Sequence, residues 1–201
     1  MSRDVTQASG LIGPNAILQT LPVLDRLLGR KRRSELMSRA GIADIPDGTE
    51  MIPEALAAAL HRRIRQDVPE LAAQVSAQAG HATANYILLN RIPKPAQVVL
   101  QCLPAGASAL VLSKAIEKHA WTFAGTGQFT VTTPWAFKIR SNPLIRGETS
   151  PACLCDWHAA VFTRLYQKLV SRKCTCREVS CGAQGSDRSC EFEIQRAPRA
   201  R

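Results

Sequence analysis

The chain carries 201 residues, a formal net charge of +10 and a hydrophobic fraction of 45 %. Length and composition suit a globular protein with a real core; the longest apolar stretch, 98–116, is broken by Gln101, Pro104, Gly106 and Lys114, which excludes a membrane span. The excess of cations favours an anionic partner: nucleic acid, an anionic membrane surface or a carboxylate-bearing ligand.

Residues 1–6 show no basic-then-apolar export signal, so a cytoplasmic location with reduced thiols is expected. Residues 1–12 read as a loose start. Pro14 opens a helix whose stripe is Ile17, Leu18, Leu21, Leu24, Leu27 and Leu28. Pro22 should kink it or break it in two, and Gly29 ends it. The basic run Arg30, Lys31, Arg32 and Arg33 leads into a short helix that reaches Ala40 and stops at Gly41. A turn-rich linker covers 44–49. Pro53 starts an alanine-rich helix to about 65. Pro69 opens another, with Ala72, Val75, Ala79, Ala82, Tyr86 and Leu89 at steps of three and four, ending before Pro93. Further helices are expected over 96–103 and 107–123. The period then changes to two: Phe129, Val131 and Thr133, then Trp135, Phe137 and Ile139 beyond Pro134. This is either two strands or one long edge strand broken at the proline. Asp156 can cap a helix to about 170, and 174–180 with 190–195 form a closing hairpin. The fold class is α+β: a helical N-terminal half packed on a small antiparallel sheet, with a late crossing helix. The domain reading is a helical extension over 1–50 before a domain over 51–201, with one continuous domain over 10–195 as the alternative.

Six of the seven cysteines lie in the last third of the chain. Cys155 precedes the first turn of the late helix, where unpaired backbone N–H groups and the helix dipole favour a thiolate. Cys181 and Cys190 flank an eight-residue turn containing Gly182 and Gly185, and Glu178 lies three residues before Cys181. Three thiolates and one carboxylate suit a tetrahedral zinc ion whose closed shell makes it structural. Alternatives stay open. Cys174, Cys176 and Glu178 share one face of an extended strand, so Cys176 can replace Glu178, and Cys153 competes with Cys155. The plain alternative is a set of buried free thiols, since there is no Cys-x-x-Cys knuckle.

Several stretches carry a resemblance: Gly-Leu-Ile-Gly-Pro-Asn-Ala-Ile at 10–17, Ala-Gly-His-Ala-Thr-Ala-Asn-Tyr-Ile-Leu at 79–88, Asn-Arg-Ile-Pro at 90–93 and His-Ala-Trp-Thr-Phe-Ala-Gly-Thr-Gly at 119–127. With the pattern from Cys155 to Cys190, the chain resembles the bacteriochlorophyll-biosynthesis J family of purple phototrophs over nearly its whole length. Its C-terminal half is similar to the wider vinyl-reductase-type domain. That domain also serves as the aromatic-effector sensor of some transcription activators and is distantly related to vesicle-tethering subunits. The resemblance implies a mixed α/β ligand-binding fold. It also implies a zinc held as in the sensor relatives, mapping onto Cys155, Glu178, Cys181 and Cys190. The activity it implies is reduction of the 8-vinyl group (4-vinyl in older nomenclature) of divinyl (proto)chlorophyllide. The implied partners are a tetrapyrrole of the divinyl protochlorophyllide or magnesium protoporphyrin class and other enzymes of that pathway.

A vinyl reduction needs a hydride or electron donor. No Gly-x-Gly-x-x-Gly follows a strand, and the Gly-Thr-Gly at 125–127 sits between a helix and a strand, so no nicotinamide or flavin motif is found. No cysteine spacing fits an iron–sulfur cluster. A tetrapyrrole-binding carrier or accessory protein therefore fits the residues better than a lone reductase. A flat apolar disc with carboxylates needs small residues, aromatic edges and cations at the rim. Ala77, Ala79, Gly80, Ala82 and Ala84 offer room; Trp121, Phe123, Trp135 and Phe137 offer walls; Lys138, Arg140, Arg91 and Arg146 offer cations. Each has a plain alternative in helix packing, core filling or a solvated edge. His61, in the run 61–65, reads as part of a solvated basic face. His158 aligns with Phe162, Leu165 and Leu169 and points inward. His81 and His119 lie in the stretches of resemblance and are the first candidates for a tetrapyrrole magnesium. The ligand-binding set is thus His81, His119, Trp121, Trp135, Phe137, Arg140 and His158. A ligand sensor or regulatory module, and a basic nucleic-acid-binding protein, are the competing classes. Without a stacking motif or a helix-turn-helix, nucleic acid is not expected. A homodimer stays open, and membrane contact is at most peripheral.

Overall fold

The computed structural model describes residues 10–185 and 187–196. Of the loose start expected over 1–12, residues 1–9 lie outside the described residues, and the rest is not loose. Strand β1 (Leu11–Ile12) pairs antiparallel with β2 (Ile52–Pro53), and Ile12 is fully buried. A two-residue strand shows no period, so alternation could not mark it. Pro22 does not sit inside a helix. The chain breaks after α1 (Asn15–Leu18), and α2 (Leu21–Arg39) starts with Pro22 in its first turn, where the missing N–H is no loss. Gly29 interrupts α2 at φ 80°, a region that suits glycine.

Helices α3 (Glu54–Asp67) and α4 (Pro69–Asn90) follow with Val68 between them. Then come α5 (Lys94–Cys102), α6 (Ala105–Lys118) and the short α7 (Trp121–Ala124). The single helix expected over 107–123 is thus two. At its break His119 and Ala120 N–H bond back three residues, to Ile116 and Glu117 carbonyls. Strands β3 (Gln128–Thr133) and β4 (Ala136–Arg140) are a hairpin rather than one broken strand. A 3-10 turn (Pro143–Ile145), α8 (Asp156–Leu169), β5 (Cys174–Ser180) and β6 (Ser189–Arg196) complete the described chain.

The four long strands form one antiparallel sheet in the order β3-β4-β6-β5. Helix α8 lies between this sheet and α4. Its apolar stripe turns Phe162, Leu165, Tyr166 and Leu169 into the core, while alternate residues Phe137, Ile139, Phe192 and Ile194 rise from the sheet. Ring centroids stand 4.9 Å apart for Phe137 and Phe162 and 5.4 Å for Phe162 and Phe192, edge to face. On the other side, the small residues of α4 let α8 approach closely. A Cβ at Gly80 would lie 2.8 Å from the Ala160 Cβ, and closer still to the Trp157 carbonyl oxygen.

One expectation is overturned. His61 is not on a solvated face: it is 2 % exposed, with Nε2 3.1 Å from the Ala16 carbonyl and its ring edge-on to Trp157. Helix α3 packs against the Pro143–Ile145 turn, which draws Arg65 inward as well. Arg65 donates to the Leu144 carbonyl at 2.8 Å and pairs with Glu148. A basic run by composition is here a contact face, because its cations find oxygen atoms on a distant loop.

Candidate metal centre

Four side chains from three parts of the chain meet at the N-terminal end of α8. Cys155 occupies the N-cap position of that helix. Glu178 lies near the end of β5, where the pairing with β6 shifts between Glu178 and Ser180. Cys181 follows directly after β5, and Cys190 is the second residue of β6, opposite Ile139. The turn between the two cysteines folds back tightly. A Cβ on Gly182 would meet the Arg188 carbonyl carbon at 2.9 Å, so the close return needs a residue without one. Ligand atoms of all four residues lie within 4.8 Å of one another, and the Cys155 and Cys190 sulfurs are 3.3 Å apart.

The strand alternatives separate by distance. Cys174, Cys176 and Glu178 do share the inner face of β5, but four residues of strand span roughly 13 Å. Cys174 accordingly pairs at the far end, opposite Arg196, and its carbonyl accepts from Gln167. Cys176 sits beside Thr163, in the middle of α8. Cys153 lies just outside the cluster, its sulfur 3.8 Å from the Glu178 carbonyl and 3.6 Å from Gln184 Oε1.

The electrostatics of the four groups are those of a site short of positive charge. Burial raises the Cys155 thiol well above its ordinary value and pushes the Glu178 carboxyl up to about 7. Cys181 is held well below the ordinary thiol range by S–H donation from Cys155 and Cys190. One thiolate is therefore stabilised at the expense of its neighbours. Glu178 Oε2 accepts the Cys155 N–H at 2.8 Å, whereas Oε1 is buried without a hydrogen-bond partner. A divalent cation would satisfy that oxygen and offset several negative ligands at once. The donor set fits a metal ion.

Asn142 completes the surroundings and was not found from the sequence. Buried to 2 % exposure, it donates from Nδ2 to the Cys155 sulfur at 3.3 Å and points the same amide at Cys190 at 3.9 Å. Its Oδ1 accepts the Leu144 N–H. The Asn-Pro dipeptide signals a turn, but nothing local ties it to sulfur. A second unforeseen group is Glu54, 5 % exposed, whose carboxylate takes the Thr126 N–H at 2.8 Å, the Thr126 hydroxyl at 2.7 Å and Arg146 at 2.8 Å. Arg146, considered as a carboxylate-binding cation, is engaged there instead.

The residues proposed for a ligand are dispersed. His81, on α4 beside Arg164, His119 and Trp121, at the α6 to α7 junction, and Arg140, at the end of β4, are exposed. His158 is 1 % exposed, pointing inward as expected, with Nε2 3.3 Å from the Phe123 carbonyl oxygen. Phe137 is 1 % exposed, and Trp135 packs 5.8 Å from Tyr166. Among the described residues, Phe123, Phe129, Phe137, Phe162 and Phe192 fill the space between α8 and the sheet where a walled hollow was expected. Phe side chains at strand and helix period pack equally well on each other as on a ligand, and here they pack on each other.

Known proteins place this architecture. Residues 135–196, which hold all four candidate ligands, match the 4-vinyl reductase domain, abbreviated V-4-R. The whole described fold is similar to crystal structures of H-NOX proteins. An unliganded Fe(II) H-NOX protein from K. algicida aligns with a TM-score of 0.60 at 5 % identity, over 94 % of this chain and 99 % of that one. An H-NOX protein from S. oneidensis in the Fe(II)NO state aligns at 0.57 and 13 %, over 93 % and 100 %. At such identities the likeness is one of fold alone. The molecule is thus a protein of the 4-vinyl reductase domain class on an H-NOX-like α+β frame. It is 45 % identical to the bacteriochlorophyll synthase 23 kDa chain of Cereibacter sphaeroides over 185 residues, 91 % of this chain and 89 % of that protein. The corresponding chain of Rhodobacter capsulatus is also 45 % identical, over 86 % of this chain and 81 % of that one. The chain belongs to the bacteriochlorophyll synthase 23 kDa chain family.

Proposed function

We propose that this protein is an accessory chain of bacteriochlorophyll biosynthesis. It binds a tetrapyrrole intermediate of the divinyl protochlorophyllide or magnesium protoporphyrin class and passes it to the pathway's enzymes. The observation that carries this reading is identity of 45 % across 91 % of the chain to a bacteriochlorophyll synthase chain. Delivery rather than unaided vinyl reduction is favoured by the sequence, which offers no dinucleotide fingerprint. His81 and His119 are the histidines a magnesium-bearing macrocycle can reach from solvent, with Trp121 beside His119 as a stacking edge. Trp135, Phe137 and His158 become available only if the aromatic cluster opens. Arg140 serves as a rim cation for a propionate.

The metal is zinc. Zn–S bonds of about 2.3 Å place tetrahedral sulfurs roughly 3.8 Å apart, a spacing bracketed by the 3.3 Å sulfur contact and the 4.8 Å limit of the cluster. Bound by Cys155, Glu178, Cys181 and Cys190, the ion would close its shell and tie α8 to the β5–β6 turn. Its chemistry there is structural. We also read 10–195 as one domain rather than an extension before 51–201: β1 pairs with β2, and Ile12, Ile17 and Leu24 lie in the same buried cluster as α8. Among the described residues no helix is long and apolar enough to cross a membrane.

A difference absorption titration with protoporphyrin, its magnesium form and protochlorophyllide tests the binding reading. Saturable Soret-band shifts that weaken in His81→Ala or His119→Ala support it; unchanged spectra with all three pigments refute it. Anaerobic incubation with divinyl protochlorophyllide and reduced nicotinamide tests delivery, since turnover to the monovinyl product would show a reductase.

A further inference from the structure

We propose that the outer face of the α5–α6 pair is a docking surface for an anionic lipid bilayer. Only Gln97 and Leu100 of α5 are buried. The helix leaves Val98 and Val99 57 % and 58 % exposed, and α6 leaves Leu110 and Val111 each 51 % exposed. Leu89, at the end of α4, is 70 % exposed beside them; the Gln97 side chain, donating to the Leu88 and Ile92 carbonyls, ties that helix end to α5. Both helices turn their inner faces to α8. Gln101 donates to the Lys168 carbonyl and Ser108 to the Leu169 carbonyl, so the aliphatic outer faces look out together.

The charges around this face have one sign. No Asp or Glu occurs between Glu70 and Glu117. Arg91 and Lys94 lie where α5 begins, and Lys114 and Lys118 lie where α6 ends. Lys168 and Arg172 line a groove of about 500 Å³ that Gln101 of α5 shares. The nearest acid, Glu117, is taken up by the Val131 N–H and by Lys114. Valine and leucine in the middle with lysine and arginine at the margin is the composition of a helix that lies in a bilayer interface, where long cationic side chains reach the phosphates. A second copy seated face to face would oppose cation to cation, with no free acid to meet them. Protein–protein hot spots are rich in Trp, Tyr and Arg, whereas this face is aliphatic at its centre.

Flotation of the full chain with vesicles of mixed phosphatidylglycerol and phosphatidylcholine, against phosphatidylcholine alone, tests the assignment. The chain should float with the anionic vesicles at low salt and be released at high salt. Lys94→Glu with Lys114→Glu should lower the partition by about thirtyfold or more, at roughly fivefold per cation removed. Val98→Asp with Val99→Asp should lower it at least about tenfold. All four positions are exposed, so each variant should keep the parent far-UV spectrum. A charge-matched control on α2, Arg30→Glu with Lys31→Glu, should retain binding. Absence of flotation would overturn the assignment, as would equal loss in the α2 control. Self-association abolished by the valine substitutions, without vesicle binding, would make the face a dimer interface and overturn it too.

Discussion

Replacing Gly80 by alanine pits two known quantities against each other. An alanine in mid-helix is about 1 kcal/mol better than glycine by propensity, so an unpacked site would gain stability. At Gly80 the new methyl would lie 2.8 Å from the Ala160 Cβ and closer to the Trp157 carbonyl. Carbon atoms in contact sit about 3.5–4.0 Å apart, so α8 must retreat by roughly 1 Å. Overpacking of this kind costs about 1–3 kcal/mol, and the obstruction is backbone rather than a flexible side-chain end, which places it at the upper limit. The net loss should be about 2 kcal/mol, or a fall of about 4–8 °C in Tm for a domain of this size. The retreat also has an address. Trp157 is two residues from Cys155, so the shift moves a candidate ligand in a site that tolerates only about 0.2 Å in bond length. Gly80→Ala should therefore lower both the urea midpoint and the zinc retained after dialysis. A variant as stable as the parent, or more so, would show that α4 and α8 are not in the contact described.

Stability should fall in mild acid because two histidines are buried neutral. Burial and the nearby Arg65 charge hold His61 at about 3, and burial holds His158 at about 4, against an ordinary 6.5. The unfolded chain thus binds more protons below about pH 6.5; stability is complete above that pH and drains away as pH falls toward 4 and 3. At pH 5 each histidine should cost about 2 kcal/mol, measurable as a drop in urea midpoint from pH 7. Cys155→Ser and Cys190→Ser should lose the bound metal, while Cys153→Ser and Cys176→Ser should keep one equivalent, read by elemental analysis. Chelation should lower Tm, and one equivalent of zinc should restore it. Glu54→Ala leaves the Thr126 N–H and hydroxyl without their acceptor and should cost about 3 kcal/mol, on the order of two charge-assisted hydrogen bonds; the exposed Arg146 adds little. A midpoint within error of the parent would refute that role.

What sequence could show followed the range of its signals. Helices α4 and α8 and strands β3 to β6 each repeat a period over several residues, so they stood out. The cysteine cluster stood out because thiols and a carboxylate at turn spacing are rare, yet Cys153 and Cys176 could be set aside only once strand length was measured in space. His61 misled because its neighbours are Arg62, Arg63 and Arg65, and a local reading assigns cations to solvent. Its surroundings come from Ala16 and Trp157, far away along the chain. The phenylalanines looked equally suited to wall a cavity or fill a core; which of the two holds depends on how closely α8 descends on the sheet, and that is decided by Gly80 on a different helix.

The segment from Asn142 to Glu148 joins the two halves more tightly than its loop character suggests. At one end Asn142 holds the Cys155 sulfur. Four residues on, Arg146 is clamped by Glu54, and its carbonyl accepts from Arg62; Glu148 then pairs with Arg65. Three residues of α3 therefore grip one side of a strap whose other side touches the candidate metal ligands. The Ser141 N–H bonds to the Arg188 carbonyl and the Ser150 N–H to the Ala183 carbonyl, which fastens the same strap to the β5–β6 turn. Such a connection makes the N-terminal helices part of the support of the sulfur cluster. Positions held by several short bonds shift together or not at all, so the geometry of Cys155 is set by α3 as well as by the helix it caps.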